Sequence, residues 1–286
     1  MKKQLLVVAL LAGLSTAANA SVIEFKGSLF GGNDFEFDLM DFQVEDGAGA
    51  ANVTQTDTNN TGNIIGPDSF TEFGGTNVIG FSNNGAGVPF LDPALHGFAG
   101  IDVNYGIFFD YSVTGDATQD VTGDLQVSFD TLILGDLYVL WDADASADGS
   151  VVGQDPSWET RVDLASFSLV NGGCDIDAIV VGGAVQVDGA SSCNLTLSGM
   201  FDAGYMFDTA SGDDLADFNA TNPATIKYSA DVNSIDGLLF NYPGGAGSSQ
   251  DFTVSHDANL RISVPEPSTI AILGLGLLGL ARLRRK

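Results

Sequence analysis

Residues 176–188 read IDAIVVGGAVQVD, two short apolar runs rich in Val and Ile on either side of Gly182-Gly183. β-branched residues favour the extended chain, and a Gly-Gly pair supplies the two left-handed residues that a tight two-residue turn demands. The stretch therefore predicts a β-hairpin. Pairing Val181 with Ala184 brings Cys174 near Ser191, and a bulge at Asp188-Gly189 would set Cys193 opposite Cys174. These are the only two cysteines of the chain. Two free thiols or a metal site would need further ligands, which the sequence does not supply, so a disulfide is expected. Closing a loop of this size is worth about 3 kcal/mol.

The same strand signature recurs outward from the hairpin. Phe35, Phe37 and Leu39 alternate with Asp34, Glu36 and Asp38, the pattern of a strand with one wet face. VNYGIFFDYSV (103–113), DLQVSFD (124–130), LILGDLYVLW (132–141) and VDLASFSLV (162–170) follow. NLTLS (194–198), IKYSA (226–230) and DFTVS (251–255) complete the set. Turn-forming clusters separate them, and no capped amphipathic helix of ten residues or more is present. The expectation is an all-β body, an antiparallel β-sandwich or jelly-roll-like fold, in one domain. Residues 54–66, rich in Asn and Thr, and the Gly/Ser segment 242–249 read as loose connections.

The two ends of the chain read differently. Lys2 and Lys3 precede an apolar core at 5–14 and an Ala18-Asn19-Ala20 cleavage pattern. This is the layout of a Sec signal peptide at 1–20, with the mature chain starting at Ser21 after passage through the Sec translocon and signal peptidase. The ten-residue apolar core is short for a retained anchor. At the other end, Val264-Pro265-Glu266-Pro267 is held extended by its two prolines. Fourteen uncharged residues (268–281) follow, and then Arg282, Arg284, Arg285 and Lys286. As a helix, the uncharged run reaches roughly 21 Å against a hydrocarbon core of about 30 Å. Snorkelling arginines and Leu283 extend it, and the basic end anchors on the cytoplasmic side, so one short transmembrane helix is expected. Box, span, basic end and terminal position together resemble the PEP-CTERM protein-sorting signal of Gram-negative bacteria that make extracellular polysaccharide. The resemblance covers 264–286. It implies that a membrane-embedded exosortase recognises the box, cuts near it and passes the body outward, through the inner membrane to the periplasm, surface or matrix. A C-terminal anchor that is never cut is the alternative. The texture of the body, 21–263, is faintly similar to that of flocculation-associated PEP-CTERM proteins.

Between the two signals stand only Lys26, Arg161, Lys227 and Arg261, against 36 of the 37 acidic residues; four minus 36 gives a formal charge of −32. Such a surface excludes nucleic acid as a direct partner, because a phosphate backbone requires Lys and Arg. Divalent cations are the natural counterions. The acids are mostly Asp, which with Gly, Asn, Ser and Thr makes turns.

One acidic stretch has ligand spacing. Counting from Asp144, oxygen donors fall at positions one, three, five and seven (Asp144, Ser146, Asp148, Ser150), with Gly149 at six and Asp155 at twelve. This resembles an EF-hand-type calcium loop, with Asp in place of the usual terminal Glu. The preceding LYVLW reads as a strand and not a helix, and Ser at position three is a poor ligand. A solvated acidic hairpin loop is the alternative. Trp158, after Asp155-Pro156, is the first aromatic to consider as a sugar-stacking platform. Asp175 with Asp177, Asp213 with Asp214, and the Asp34/Glu36/Asp38 trio read as surface or turn acids. His96 and His256 lack any flanking metal motif and read as structural or surface residues. No HExxH, G-x-S-x-G, Walker or dinucleotide motif occurs, no cofactor is required, and no catalytic residue is expected. The composition thus favours an exported structural protein of the surface or of an exopolysaccharide, biofilm or floc matrix. A carbohydrate-binding module is the alternative, and a secreted hydrolase the third.

Overall fold

The computed structural model describes residues 21–44, 50–83, 86–87, 105–119, 124–141, 160–219 and 223–264. Within them the chain is antiparallel β. The strands are β1 (Ile23–Phe25), β2 (Phe35–Phe37), β3 (Leu39–Val44), β4 (Ala51–Thr56), β5 (Asp68–Asn83), β6 (Ala86–Gly87), β7 (Tyr105–Gln119), β8 (Leu125–Trp141), β9 (Thr160–Val181), β10 (Ala184–Phe201), β11 (Met206–Asp208), β12 (Ala224–Asp236) and β13 (Ser249–Ser263). Short 3₁₀ turns at Gly27–Phe30 and Leu215–Phe218 interrupt them.

Ten strands form one sheet, in the order β12-β10-β9-β8-β7-β5-β3-β13-β4 with β6 on β5. β12 also pairs along its length with β13, from Thr225↔Ser263 to Asp236↔Thr253, so the sheet closes on itself. β3 and β4 lie end to end in one place between β5 and β13: β4 takes the first half of β13 and β3 the second. Neighbours in the ring are neighbours in sequence apart from the small inserts, which is meander connectivity. The sandwich-like body is therefore a closed circuit with eight strand places, a size whose interior is just filled by side chains or holds one small ligand.

Alternation sets the inside. On β7, Tyr105, Ile107, Phe109, Tyr111 and Val113 are buried, while the residues between them are half-exposed. Phe109 faces Tyr228 of β12 across the interior at 6.4 Å between ring centroids. Asp, Ser, Thr and Asn hold many outward positions, as on Asp116, Ser128 and Asn194, which is unlike the apolar band of a lipid-facing barrel.

One end of the circuit is plugged. A small sheet, β11-β1-β2, carries Phe35 and Phe37 onto Phe81 and Phe25 onto Tyr105, while Phe30 packs on Tyr105 at 5.5 Å and edge-on to Trp141 at 5.9 Å. The Asp34–Leu39 alternation thus splits at Asp38 into two strands of different sheets, β2 and β3.

Residues 57–67 and 237–248 cover the other end, and they are not loose. Asp57 is 2% exposed; its Oδ2 accepts from the amides of Gly62 and Gly247, both at 2.8 Å, and its Oδ1 accepts from Thr61. Asp68, fully buried, accepts from the Tyr242 hydroxyl at 3.0 Å. Two carboxylates knit the segments together, and this non-local contact has no local signature.

Candidate functional site

The predicted site residues divide by location. Ala18, Ala20, the candidate calcium ligands Asp144, Ser146, Asp148, Ser150 and Asp155, the aromatic Trp158, and the tail from Pro265 to Lys286 lie outside the described residues. Among the described residues no group of three or more His, Cys, Asp or Glu could hold a metal ion, and no helix is long and apolar enough to cross a membrane.

The two predicted processing points meet. Ser21 donates its amide to the Ile262 carbonyl at 3.0 Å, and its hydroxyl accepts from the Val264 amide at 3.0 Å. The first residue after the predicted leader and the first residue of the proline box therefore emerge side by side, at the plugged end.

The cysteine pair is formed. Val181 pairs with Ala184, the register slips between Val187 and Ser191, and Cys174 stands directly opposite Cys193 with Cα atoms 4.0 Å apart in a disulfide. Both face inward and are buried. Asp177 accepts from the Ala190 amide at 3.1 Å and so holds the bulge. Other acids named from the sequence also have structural work. Asp214 caps the Leu215–Phe218 turn through the Ala216 amide and binds the Gly204 amide. Asp34 binds the Ser28 hydroxyl and amide, and chiefly through that hydroxyl its carboxyl is held below the usual aspartate value.

A further constellation, which the sequence did not announce, lies inside the barrel. Tyr111 on β7 donates to Glu72 Oε1 on β5 at 2.7 Å, and the same hydroxyl lies 2.9 Å from His256 Nε2 on β13. With its O–H directed at the carboxylate, the Tyr111 oxygen accepts from Nε2–H. That leaves Nδ1 to accept from the Tyr228 hydroxyl of β12 at 3.4 Å. Burial, with the Glu72 charge adding to it, raises the pKa of both tyrosines far above the ordinary phenol value. Both stay protonated. Four strands contribute one residue each, so no local motif exists. The one legible hint is Phe70-Thr71-Glu72, where period two puts the acid on the inward face with Phe70.

These groups line a cavity of about 110 Å³ in the half of the barrel away from the plug, among Phe70, Val127, Phe129, Leu132, Leu195 and Val254. Outside the disulfide, a second concavity of about 530 Å³ crosses β7 to β10 and is lined mostly by polar side chains. Two registered rows make it: Asp116-Ser128-Gly173-Asn194 and Thr118-Gln126-Asp175-Ser192.

No curated protein and no solved structure matches the chain. Residues 263–286 match the PEP-CTERM protein-sorting motif, which marks an exported, exosortase-processed polypeptide. The chain thus carries a PEP-CTERM protein-sorting motif at residues 263–286.

Proposed function

We propose that the protein is a structural component of the cell surface or extracellular polymer matrix, a rigid acidic β-body delivered through its C-terminal signal. The sorting motif over 263–286 carries this reading. In it, the Sec translocon and signal peptidase free Ser21, the tail from 268 holds the body at the inner membrane, and exosortase then cuts near the box. The body's −32 charge would be bridged by calcium to other copies or to anionic polysaccharide, with the 144–155 loop as one candidate ligand set. The reading assigns no enzymatic step.

Cell fractionation tests the delivery step. Replacing Pro265 and Pro267 by Ala and deleting residues 282–286 should trap the chain in the membrane fraction; unchanged release overturns the reading. Chelation of divalent cations should loosen the body from the matrix, and undiminished retention removes the bridging.

The polar concavity favours a second reading, a carbohydrate-binding module. Short hydroxyl, amide and carboxylate side chains in two rows offer paired donors and acceptors to a polyhydroxylated chain, with no cation to attract an anion. Neutral oligosaccharides retained by the protein and lost in Asn194→Ala would support it. Trp158→Ala separates this groove from the aromatic platform: loss of retention in that variant alone would move the site to Trp158.

A further inference from the structure

The sorting motif and the barrel overlap. The motif begins at residue 263, and its first two residues, Ser263 and Val264, belong to the described body. Ser263 ends β13 and is registered opposite Thr225 of β12. Val264 lies just past the strand, half-buried and packed against the core. No spacer separates the folded unit from the signal it carries.

The hold on these residues is graded. Ile262 is 1% exposed and sits within the β12–β13 ladder, so drawing it outward uncovers core and breaks strand pairing. Val264 has left the ladder, and its amide donates to one side-chain acceptor, the Ser21 hydroxyl at 3.0 Å. That hydroxyl is itself fixed to the body. The Ser21 amide donates to the Ile262 carbonyl at 3.0 Å. The Val22 carbonyl accepts from the Thr209 amide at 3.0 Å and from the Thr209 hydroxyl at 2.9 Å. Ser21 therefore stays in place when Val264 moves, and their hydrogen bond is the first to give.

Beyond Val264 the chain offers little slack. Only Pro265, Glu266 and Pro267 separate it from the uncharged run that starts at Ser268. The four chain steps from Val264 to Ser268 span at most about 14 Å. Recognition of an extended segment uses main-chain hydrogen bonds along it, and a segment held in native structure is cut from its opened state. An enzyme that grips a motif including Val264 needs that amide released.

We propose that the barrel restrains its own release: the Ser21 hydroxyl latches Val264, and exosortase takes hold of the motif only from the state in which this latch is open. The inference rests on the reading of 263–286 as a processed signal. Ser21 is a positioning residue in it, acting before the peptide bond breaks and taking no part in breaking it.

Pulse-chase release of the full chain from cells that process it, with the product's ends read by intact mass, is the test. Ser21→Ala should be released about fivefold faster than the native chain, the factor by which losing one neutral hydrogen bond raises the open population. Ser21→Thr keeps the hydroxyl and should match the native rate. Inserting Gly-Ser-Gly-Ser between Ser263 and Val264 leaves the box intact but moves it off the body. This spacer chain should be released as fast as Ser21→Ala, and adding Ser21→Ala to it should change nothing. Native-rate release of Ser21→Ala overturns the latch. So does an acceleration that persists in the spacer chain, because the substitution then acts through the stability of the body. Failure of the underlying reading looks different: a native product that still carries residues 268–286 overturns the processing and the latch together.

Discussion

The hydroxyl of Ser21 accepts the amide proton of Val264 at 3.0 Å, tying together residues 243 positions apart. Residues 21 and 264, which follow the predicted leader and open the proline box, therefore share one corner of the body. Ser21→Ala removes the acceptor from a half-exposed site, a loss of about 1 kcal/mol or less. Exchange of the Val264 amide should accelerate by about fivefold while the melting temperature hardly moves. Unaltered exchange would mean that the corner is held by the Ser21 amide alone.

The Cys174–Cys193 bridge joins two strands that the Gly182-Gly183 turn already brings together. Replacing both cysteines by Ala should lower unfolding free energy by about 3 kcal/mol while keeping the native far-ultraviolet dichroism. A loss below about 1 kcal/mol would show that the hairpin confines the unfolded chain without it.

Tyr111 serves two partners and Tyr228 one. Tyr111→Phe strands the Glu72 oxygen and His256 Nε2 together, so it should cost about 2–3 kcal/mol in denaturant unfolding. Tyr228→Phe removes only the 3.4 Å contact and should cost below about 1 kcal/mol. Equal losses would contradict the order of the chain.

Asp57 and Asp68 should respond to pH with opposite signs. Burial opposes ionisation of Asp57, but the amides of Gly247, Gly62, Thr61 and Asn60 outweigh it and hold its pKa below the usual value. Its stabilisation is present above the unfolded pKa of about 3.9 and is lost as pH falls through the folded one. For Asp68, burial prevails over the Tyr242 hydrogen bond and the pKa is raised. Its contribution is present below about pH 3.9 and is lost as pH rises through the folded value. Urea unfolding of Asp57→Asn should therefore show a larger loss at pH 7 than at pH 3, and that of Asp68→Asn a smaller one. Parallel behaviour of the two variants would refute the assignment.

The strand pattern and the cysteine register were legible because both depend on period two and on one turn. Strand lengths were not. NGGCD at 171–175 reads as a break, yet it lies within the 22 residues of β9, where β10 pairs with every residue of NGGCD and Gly172 packs against Leu195 too closely for a Cβ. LQVSFD and LILGDLYVLW are one strand, β8, because β7 pairs across their junction at Phe129, Thr131 and Leu132. β5 went unread because Gly74, Gly75 and Gly80 interrupt its apolar period. They make room for Tyr111, Asp110 and Asp41 from adjacent strands, which sequence alone does not place. The Glu72 cluster needs the whole ring closed before its members meet.

That closure bears on how copies could associate. β12 and β13 satisfy one another, so this circuit offers no long free border on which a second molecule could add a strand and begin a fibre. Outside the ring, the border strands β2 and β11 are three residues each. A network built from this unit would have to be glued, through side chains, cations or glycans, and would dissolve when the glue is withdrawn.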